Sequence, residues 1–368
     1  MLDSARTLLE TVKRDVARTG LQARNGIKHV AGINRMQVGQ TPKEVVWERR
    51  KSQLWRYQAG EITQPVPIVI VYSLISRSYV FDLYPGHSFV EHLSKLGYDV
   101  YLLDWGVPDQ ADAGNDLEKY TEDHLPAAVR AAQEASGSDS VFLLAYCFGG
   151  TMTMLSMAAN DLPAVAGLIL LATPVDYHKL GLFTEVLGPE ARMNPSDLID
   201  GTGNVPASAS RDFFNVLKPT TKVAASVTFL ERMWDDDYVK GYQAMGQWTR
   251  DHIPFPGATF RQAVRMLFRS NSMMNNTVFL SGRRVDLRRI TVPVLVIVAE
   301  KDHIVPLDSA LPAADLLGSD DVEIARLPFG HVGLIMGRAA VKQTIPTILD
   351  WMRRHTSTSA KETNSWQR

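Results

Sequence analysis

The sequence predicts an α/β protein: a mostly parallel central sheet with helices on both faces and an inserted cap subdomain. Three observations carry this expectation. Short runs rich in Val, Ile and Leu alternate with helix-like stretches from about residue 65 onward. Several of those runs are apolar throughout, the pattern of strands buried on both faces. Over residues 177–284 the rhythm changes to a stretch rich in Asn, Met, Trp and Pro, with helical pieces but no convincing buried strand.

Taken in order, residues 66–72 are the first expected strand, 88–96 a helix and 99–104 the next strand. A helix at 125–135 leads into strands at 140–145 and 167–172. Beyond the insertion, strands are expected at 292–299 and 322–327. The division that follows is an N-terminal helical arm (1–60), a first core part (61–176), the cap (177–284), a second core part (285–354) and a flexible Ser/Thr/Lys-rich tail (355–368). In the arm, Leu2, Ala5, Leu9, Val12 and Val16 recur at three- and four-residue steps, which is amphipathic helix spacing. Residues 1–35 hold seven Lys/Arg against three Asp/Glu. Such an arm either packs on its own domain or docks on a partner subunit or a hydrophobic surface.

Composition excludes several classes. The 368 residues suffice for a sizeable core, and 39 Lys+Arg against 40 Asp+Glu give no reason to expect nucleic acid. Cys147 is the only cysteine, so neither an intramolecular disulfide nor a Cys-based zinc site is available, and a reducing cytoplasm is the expected location. No run reaches the ~18 to 20 apolar residues of a membrane span, so no transmembrane segment is expected. There is no P-loop, dinucleotide fingerprint or H-E-x-x-H, and no metal or cofactor is expected. His87, His92 and His124 lack ligand spacing and read as structural or surface residues.

The chemistry concentrates in Leu143-Leu144-Ala145-Tyr146-Cys147-Phe148-Gly149-Gly150-Thr151. A buried strand runs into small residues, with a nucleophilic atom two places after Ala145 and two before Gly149. This is the G-x-S-x-G nucleophile elbow, with Ala for the first Gly and Cys for Ser. A sharp strand-to-helix turn leaves no room for side chains at the flanking positions, and it puts the sulfur at a helix N-terminus that favours a thiolate. Downstream, the run Val294–Ala299 ends in a loop bearing Asp302, and Leu327-Pro328-Phe329-Gly330 leads to His331. Nucleophile, acid and histidine thus follow in the chain order of the α/β-hydrolase fold. A lone Cys is more often a buried hydrophobe, an Asp a cap and a loop His incidental. All three at the ends of successive strands point to a catalytic triad. His303, next to Asp302, either positions the loop or enters catalysis.

Beyond the elbow, long segments resemble the catalytic subunit of short, two-component (class III/IV type) polyhydroxyalkanoate synthases. They include Thr41-Pro42-Lys43-Glu44-Val45-Val46, Val71-Tyr72-Ser73-Leu74-Ile75-Ser76-Arg77-Ser78-Tyr79, Tyr101-Leu102-Leu103-Asp104-Trp105-Gly106-Val107-Pro108-Asp109, Pro254-Phe255-Pro256-Gly257 and Gly282-Arg283-Arg284-Val285-Asp286-Leu287. Ala145 and Phe148 depart from the family's usual Gly and Gln or Met. The resemblance implies polymerisation of (R)-3-hydroxyacyl-CoA into polyester with release of CoA, the thioester being substrate and no cofactor being needed. It also implies a second, non-catalytic subunit, a homodimer or larger assembly, and association with cytoplasmic polyester granules.

Sulfur suits that reaction, because a thiolate attacking a thioester exchanges one activated acyl group for another at nearly equal free energy. Cys147 is then the acyl carrier and His331 its base. Asp302 either orients His331 or helps deprotonate the incoming 3-hydroxyl. The oxyanion donors are the Phe148 N–H and a second from residues 73–75, assigned to Leu74. Trp234, Tyr238, Trp248 and Phe255 line the site or form the cap's own core. The alternatives are a thiol hydrolase, thioesterase or polyester depolymerase on the same fold, and an inactive granule-associated homologue.

Overall fold

The computed structural model describes residues 10, 13–14, 17–26, 36–162, 164–217 and 227–363. The helix-spaced positions Leu2, Ala5, Leu9, Val12 and Val16, and the end of the tail at 364–368, lie outside the described residues. Eight strands form the central sheet: β1 (Lys43–Arg49), β2 (Ser52–Tyr57), β3 (Ile68–Val71), β4 (Val100–Asp104), β5 (Val141–Tyr146), β6 (Val165–Leu171), β7 (Val294–Ala299) and β8 (Val322–Leu327). Their order is β1-β2-β4-β3-β5-β6-β7-β8. β3 to β8 are parallel, while β1 and β2 are antiparallel additions at one edge. β3, β5 and β7 are buried at every position, as their uniformly apolar sequences require. Because strand order reverses between β3 and β5, the loops leaving their C-terminal ends part there and open a crevice.

Short local signals set the helices. Ser88 caps α1 (Phe89–Lys95) by accepting from the Glu91 N–H at 3.1 Å. Gly137, at φ 69°, ends α2 (Leu125–Ser136) in the left-handed conformation typical after a helix C-terminus. The helix α3 (Phe148–Ala159) follows β5 with no linker beyond Cys147 and is buried over most of its length.

Two expectations about the ends of the chain need correction. Residues 43–57, assigned to the helical arm, are the β1–β2 hairpin, which pairs with β4 through Gln53–Tyr57. Its turn places Arg50 at φ 53° without any Gly or Asn to announce it. Of the arm proper, residues 17–26 are helical and dock on the protein's own cap: Asn25 is buried and donates to the Met233 carbonyl at 2.7 Å and to Asp236 at 2.8 Å. At the other end, the assigned tail continues the last helix through Thr363. His355 holds it to the sheet, with Nδ1 at 2.7 Å from the Trp351 carbonyl and Nε2 at 3.0 Å from Asp321.

The cap contains α4 (Ala207–Leu217) and α5 (Asp236–Arg250). α5 bears on the core at both ends. Asp237 meets His87 at 3.1 Å and Arg338 at 3.2 Å, while Trp248 donates to the Arg77 carbonyl at 2.9 Å and Tyr79 to Asp251 at 2.7 Å. Toward the end of the assigned cap, Phe260, Leu267, Met273, Leu280 and Val285 are buried in the main core.

The last helix, numbered α6 (Ile345–Thr363), packs on β6 through a close approach of Trp351 to Gly167. A Cβ on Gly167 would lie 2.5 Å from Trp351 Cη2. Gly167→Ala should therefore destabilise the fold by about 1–3 kcal/mol, with Trp351→Phe in the same chain recovering part of the loss. Urea midpoints of the two single variants and the double variant give the comparison.

Candidate active site

β5 ends at Tyr146, and Cys147 occupies the turn into α3 at φ 56° and ψ −131°. A non-glycine residue in that region stores about 1–3 kcal/mol. Packing on both sides supports it. A Cβ on Gly149 would lie 2.5 Å from the Val71 carbonyl oxygen, and one on Gly150 would overlap Thr173. Ala145 is fully buried between Val71 on β3 and Leu170 on β6, so a larger residue has no space there. Cys147 is half-buried and caps α3, which puts its sulfur where the helix dipole favours negative charge.

The parallel sheet brings the other two residues to the same edge. Asp302 lies three residues past β7 and His331 four residues past β8. His331 Nδ1 and Asp302 Oδ2 are 2.7 Å apart, and both side chains are buried. The remaining oxygen, Asp302 Oδ1, accepts from the Ile304 N–H at 2.8 Å and the Val305 N–H at 2.9 Å. Both oxygens are therefore occupied. Burial works against charge on His331, but the Asp302 carboxylate, the Cys147 sulfur and hydrogen bonds to both outweigh it, raising the imidazole to about 10. Tyr146 packs its ring on this imidazole with centroids 4.9 Å apart, an arrangement not foreseen from the sequence. Its position directly before Cys147 was the only signal.

The two residues expected to supply oxyanion donors stand in different surroundings. Phe148 is the first residue of α3, and its ring borders the cavity beside Cys147. The Leu74 side chain is buried in the core, and its neighbour Ile75 faces the cavity. His303 is exposed, His87 pairs with Asp237, His92 contacts the Gly86 carbonyl and His124 is buried against Ser52.

Above Cys147 lies a cavity of about 200 Å³ roofed by the cap. Of the four aromatics singled out from the sequence, Phe255 lines it and the other three do not. Trp234 packs under Arg18, Tyr238 borders a separate surface crevice with Arg232 and Arg338, and Trp248 braces α5. The walls are instead Phe183, Phe213, Phe214, Phe260 and Phe268. Phe183 packs on Phe213 with ring centroids 4.6 Å apart. The adjacent Phe213-Phe214 pair was the available sign, but nothing local tied it to the elbow.

A sequence profile of the alpha/beta hydrolase fold matches residues 66–335. The poly(3-hydroxyalkanoate) polymerase subunit PhaC of Haloferax mediterranei is 34% identical over 333 residues, covering 90% of this chain and 68% of its own. The PhaC subunit of Allochromatium vinosum is 34% identical over 332 residues, 89% of this chain and 92% of its own. The chain belongs to the PhaC family of poly(3-hydroxyalkanoate) polymerase subunits. Among solved structures, epoxide hydrolase A from Mycobacterium thermoresistibile has a TM-score of 0.51 and 14% identity, covering 85% of this chain and 98% of its own. That likeness is one of fold alone. Within this PhaC chain, the elbow cysteine thus sits on the same sheet edge as a buried Asp–His pair, under an apolar roof.

The Asp302–His331 contact has a direct spectroscopic consequence. In a histidine-labelled sample the His331 resonance should titrate far above the ordinary 6.5, toward about 10. With Asp302→Asn the main charge opposing burial is gone, so the midpoint should fall. An unchanged midpoint in that variant would remove Asp302 as the cause.

Proposed function

We propose that this PhaC chain polymerises (R)-3-hydroxyacyl-CoA through an acyl-Cys147 intermediate, using the CoA thioester as substrate and no further cofactor. The observation that supports this best is the buried Asp302–His331 pair, 2.7 Å apart, on the edge that carries the strained cysteine elbow. His331 holds the proton drawn from Cys147, and the thiolate attacks the thioester carbonyl. The Phe148 N–H and a second N–H at Leu74 receive the oxyanion. As the carbonyl re-forms, the C–S bond to CoA breaks and the imidazolium returns its proton to the leaving thiolate. His331, now neutral, takes the proton of a second 3-hydroxyl group as that oxygen attacks the acyl-cysteine, which forms the ester and regenerates the thiolate.

Of the two roles open for Asp302, orienting His331 has the better support. Its carboxylate already holds one imidazole N–H and two backbone N–H groups, and its side chain is fully buried. A hydroxyl could be deprotonated there only by breaking that set.

The second, non-catalytic subunit, a homodimer or larger assembly and attachment to the cytoplasmic granule surface belong to the same proposal. The arm helix at 17–26 is engaged with the cap through Arg24 and Asn25, both on Asp236.

CoA release, insoluble polymer and free hydroxy acid should be measured in parallel on the purified chain, with and without a partner subunit. Polymer should track CoA release. Free acid in stoichiometric amount, without polymer, would make the chain a thiol hydrolase. Cys147→Ala should abolish CoA release while leaving the fold intact. Asp302→Asn should slow acylation of Cys147 itself by at least about a hundredfold, as loss of an orienting carboxylate does in other triads. Normal acylation with slow elongation would instead return Asp302 to the hydroxyl.

A further inference from the structure

We infer that the ring face of Tyr146 is a positioning surface for His331, fixing the plane of the imidazole and favouring its protonated form. This deepens the proposed reaction, in which His331 is the base for Cys147, and its predicted effect on rate rests on that reading.

Asp302 holds the imidazole at one point, through Nδ1 at 2.7 Å. A single hydrogen bond fixes one end of a planar ring and leaves the ring free to turn about that axis. The Tyr146 ring lies against it with centroids 4.9 Å apart and planes inclined by 38°, so turning toward that side is blocked. Tyr146 itself has little freedom to yield. It is the last residue of β5, pairs with Leu171 on β6 and is buried. Phe81 packs at right angles to its ring with centroids 5.7 Å apart, and Phe89 braces Phe81 in the same way at 5.6 Å.

The contact also bears on charge. An aromatic face carries partial negative charge and attracts a cation lying within about 6 Å of the ring centre, more strongly where water is excluded. Tyr146 and His331 are both buried, so the attraction acts with little screening. Burial alone favours the neutral imidazole, and the ionisable groups that oppose it are the Asp302 carboxylate and the Cys147 sulfur. The Tyr146 hydroxyl adds no charge of its own. Burial, then the Cys147 sulfur and the Asp302 carboxylate, push it well above the usual tyrosine range. That hydroxyl also has no hydrogen-bond partner among the described residues. What His331 meets is therefore the ring and not the hydroxyl.

The test replaces Tyr146 in the full, histidine-labelled chain and reads His331 directly. In Tyr146→Leu the His331 midpoint should fall, its proton being held about three- to thirtyfold more weakly. Tyr146→Phe keeps the face and should restore the midpoint. A perfluorinated phenylalanine in place of Tyr146 keeps the shape but reverses the charge of the face, so the midpoint should fall there too, even where loss of bulk unfolds the leucine variant. Cys147 is the only cysteine, so iodoacetamide uptake reports the nucleophile alone. In Tyr146→Leu its rise should move to higher pH, because the thiolate loses part of its charged partner. Tyr146 does not border the cavity above Cys147. In CoA release from (R)-3-hydroxybutyryl-CoA, with the partner subunit where activity depends on one, kcat should therefore fall at least about tenfold in Tyr146→Leu while KM stays within about twofold. An unmoved His331 midpoint in Tyr146→Leu overturns the inference. A fall in Tyr146→Phe as large as in Tyr146→Leu puts the effect on the hydroxyl and overturns it as well. A fluorinated variant that titrates like Tyr146→Phe overturns the stabilisation of charge. No CoA release from the unaltered chain, with Cys147 unacylated, overturns the polymerase reading, and the titrations, which need no substrate, still decide whether Tyr146 acts on His331.

Discussion

The site depends on one constraint: a cysteine held in left-handed backbone geometry between a strand and a helix. Cys147 cannot relax, because β5 is locked between β3 and β6 on one side of the turn and α3 presses its first glycines against Val71 and Thr173 on the other. The strain is small beside the burial that maintains it. Its effect is to lift the sulfur out of the sheet edge and put it at a helix N-terminus. Any residue larger than Ala at 145, or larger than Gly at 149, would force the chain out of this turn. The small-residue pattern around Cys147 is therefore the signature of a backbone shape, and the placement of the sulfur follows from that shape.

Given that turn, parallel pairing does most of the remaining assembly. β5, β7 and β8 end at one edge, so loops far apart in sequence deliver Cys147, Asp302 and His331 to one place. Asp302 is then held by the backbone of its own loop, which leaves one oxygen for the imidazole. A carboxylate so occupied fixes the ring's orientation and favours its charged form, despite a burial that alone would favour the neutral one.

The parts of the fold legible in the sequence were those with a local cause. Five of the sheet strands, β3 to β7, are apolar runs bounded by polar loops, and the elbow needs small residues at fixed offsets, so both could be read directly. The β1–β2 hairpin was not legible, because its edge position lets Glu44, Glu48 and Arg49 face solvent and its turn at Arg50 lacks a turn-forming residue. The wall of the cavity was hidden for a different reason. Phe183, Phe213 and Phe268 lie far apart in sequence and meet only through tertiary packing, whereas the tryptophans that looked more suggestive brace the cap from outside.

In the proposed reaction, the choice between polyester and free acid is kinetic, because attack of a 3-hydroxyl and attack of water on an acyl-cysteine are both downhill. Any hydroxyl that attacks must give its proton to His331, which is almost fully buried behind Cys147. Water reaching that point through the cavity would need two or more polar partners on the way, and its walls supply almost none. A hydroxyacyl group keeps its place by burying hydrocarbon, which water cannot do. The aromatic roof thus denies water its polar partners, and an otherwise ordinary hydrolase edge is made suitable for transfer in place of hydrolysis.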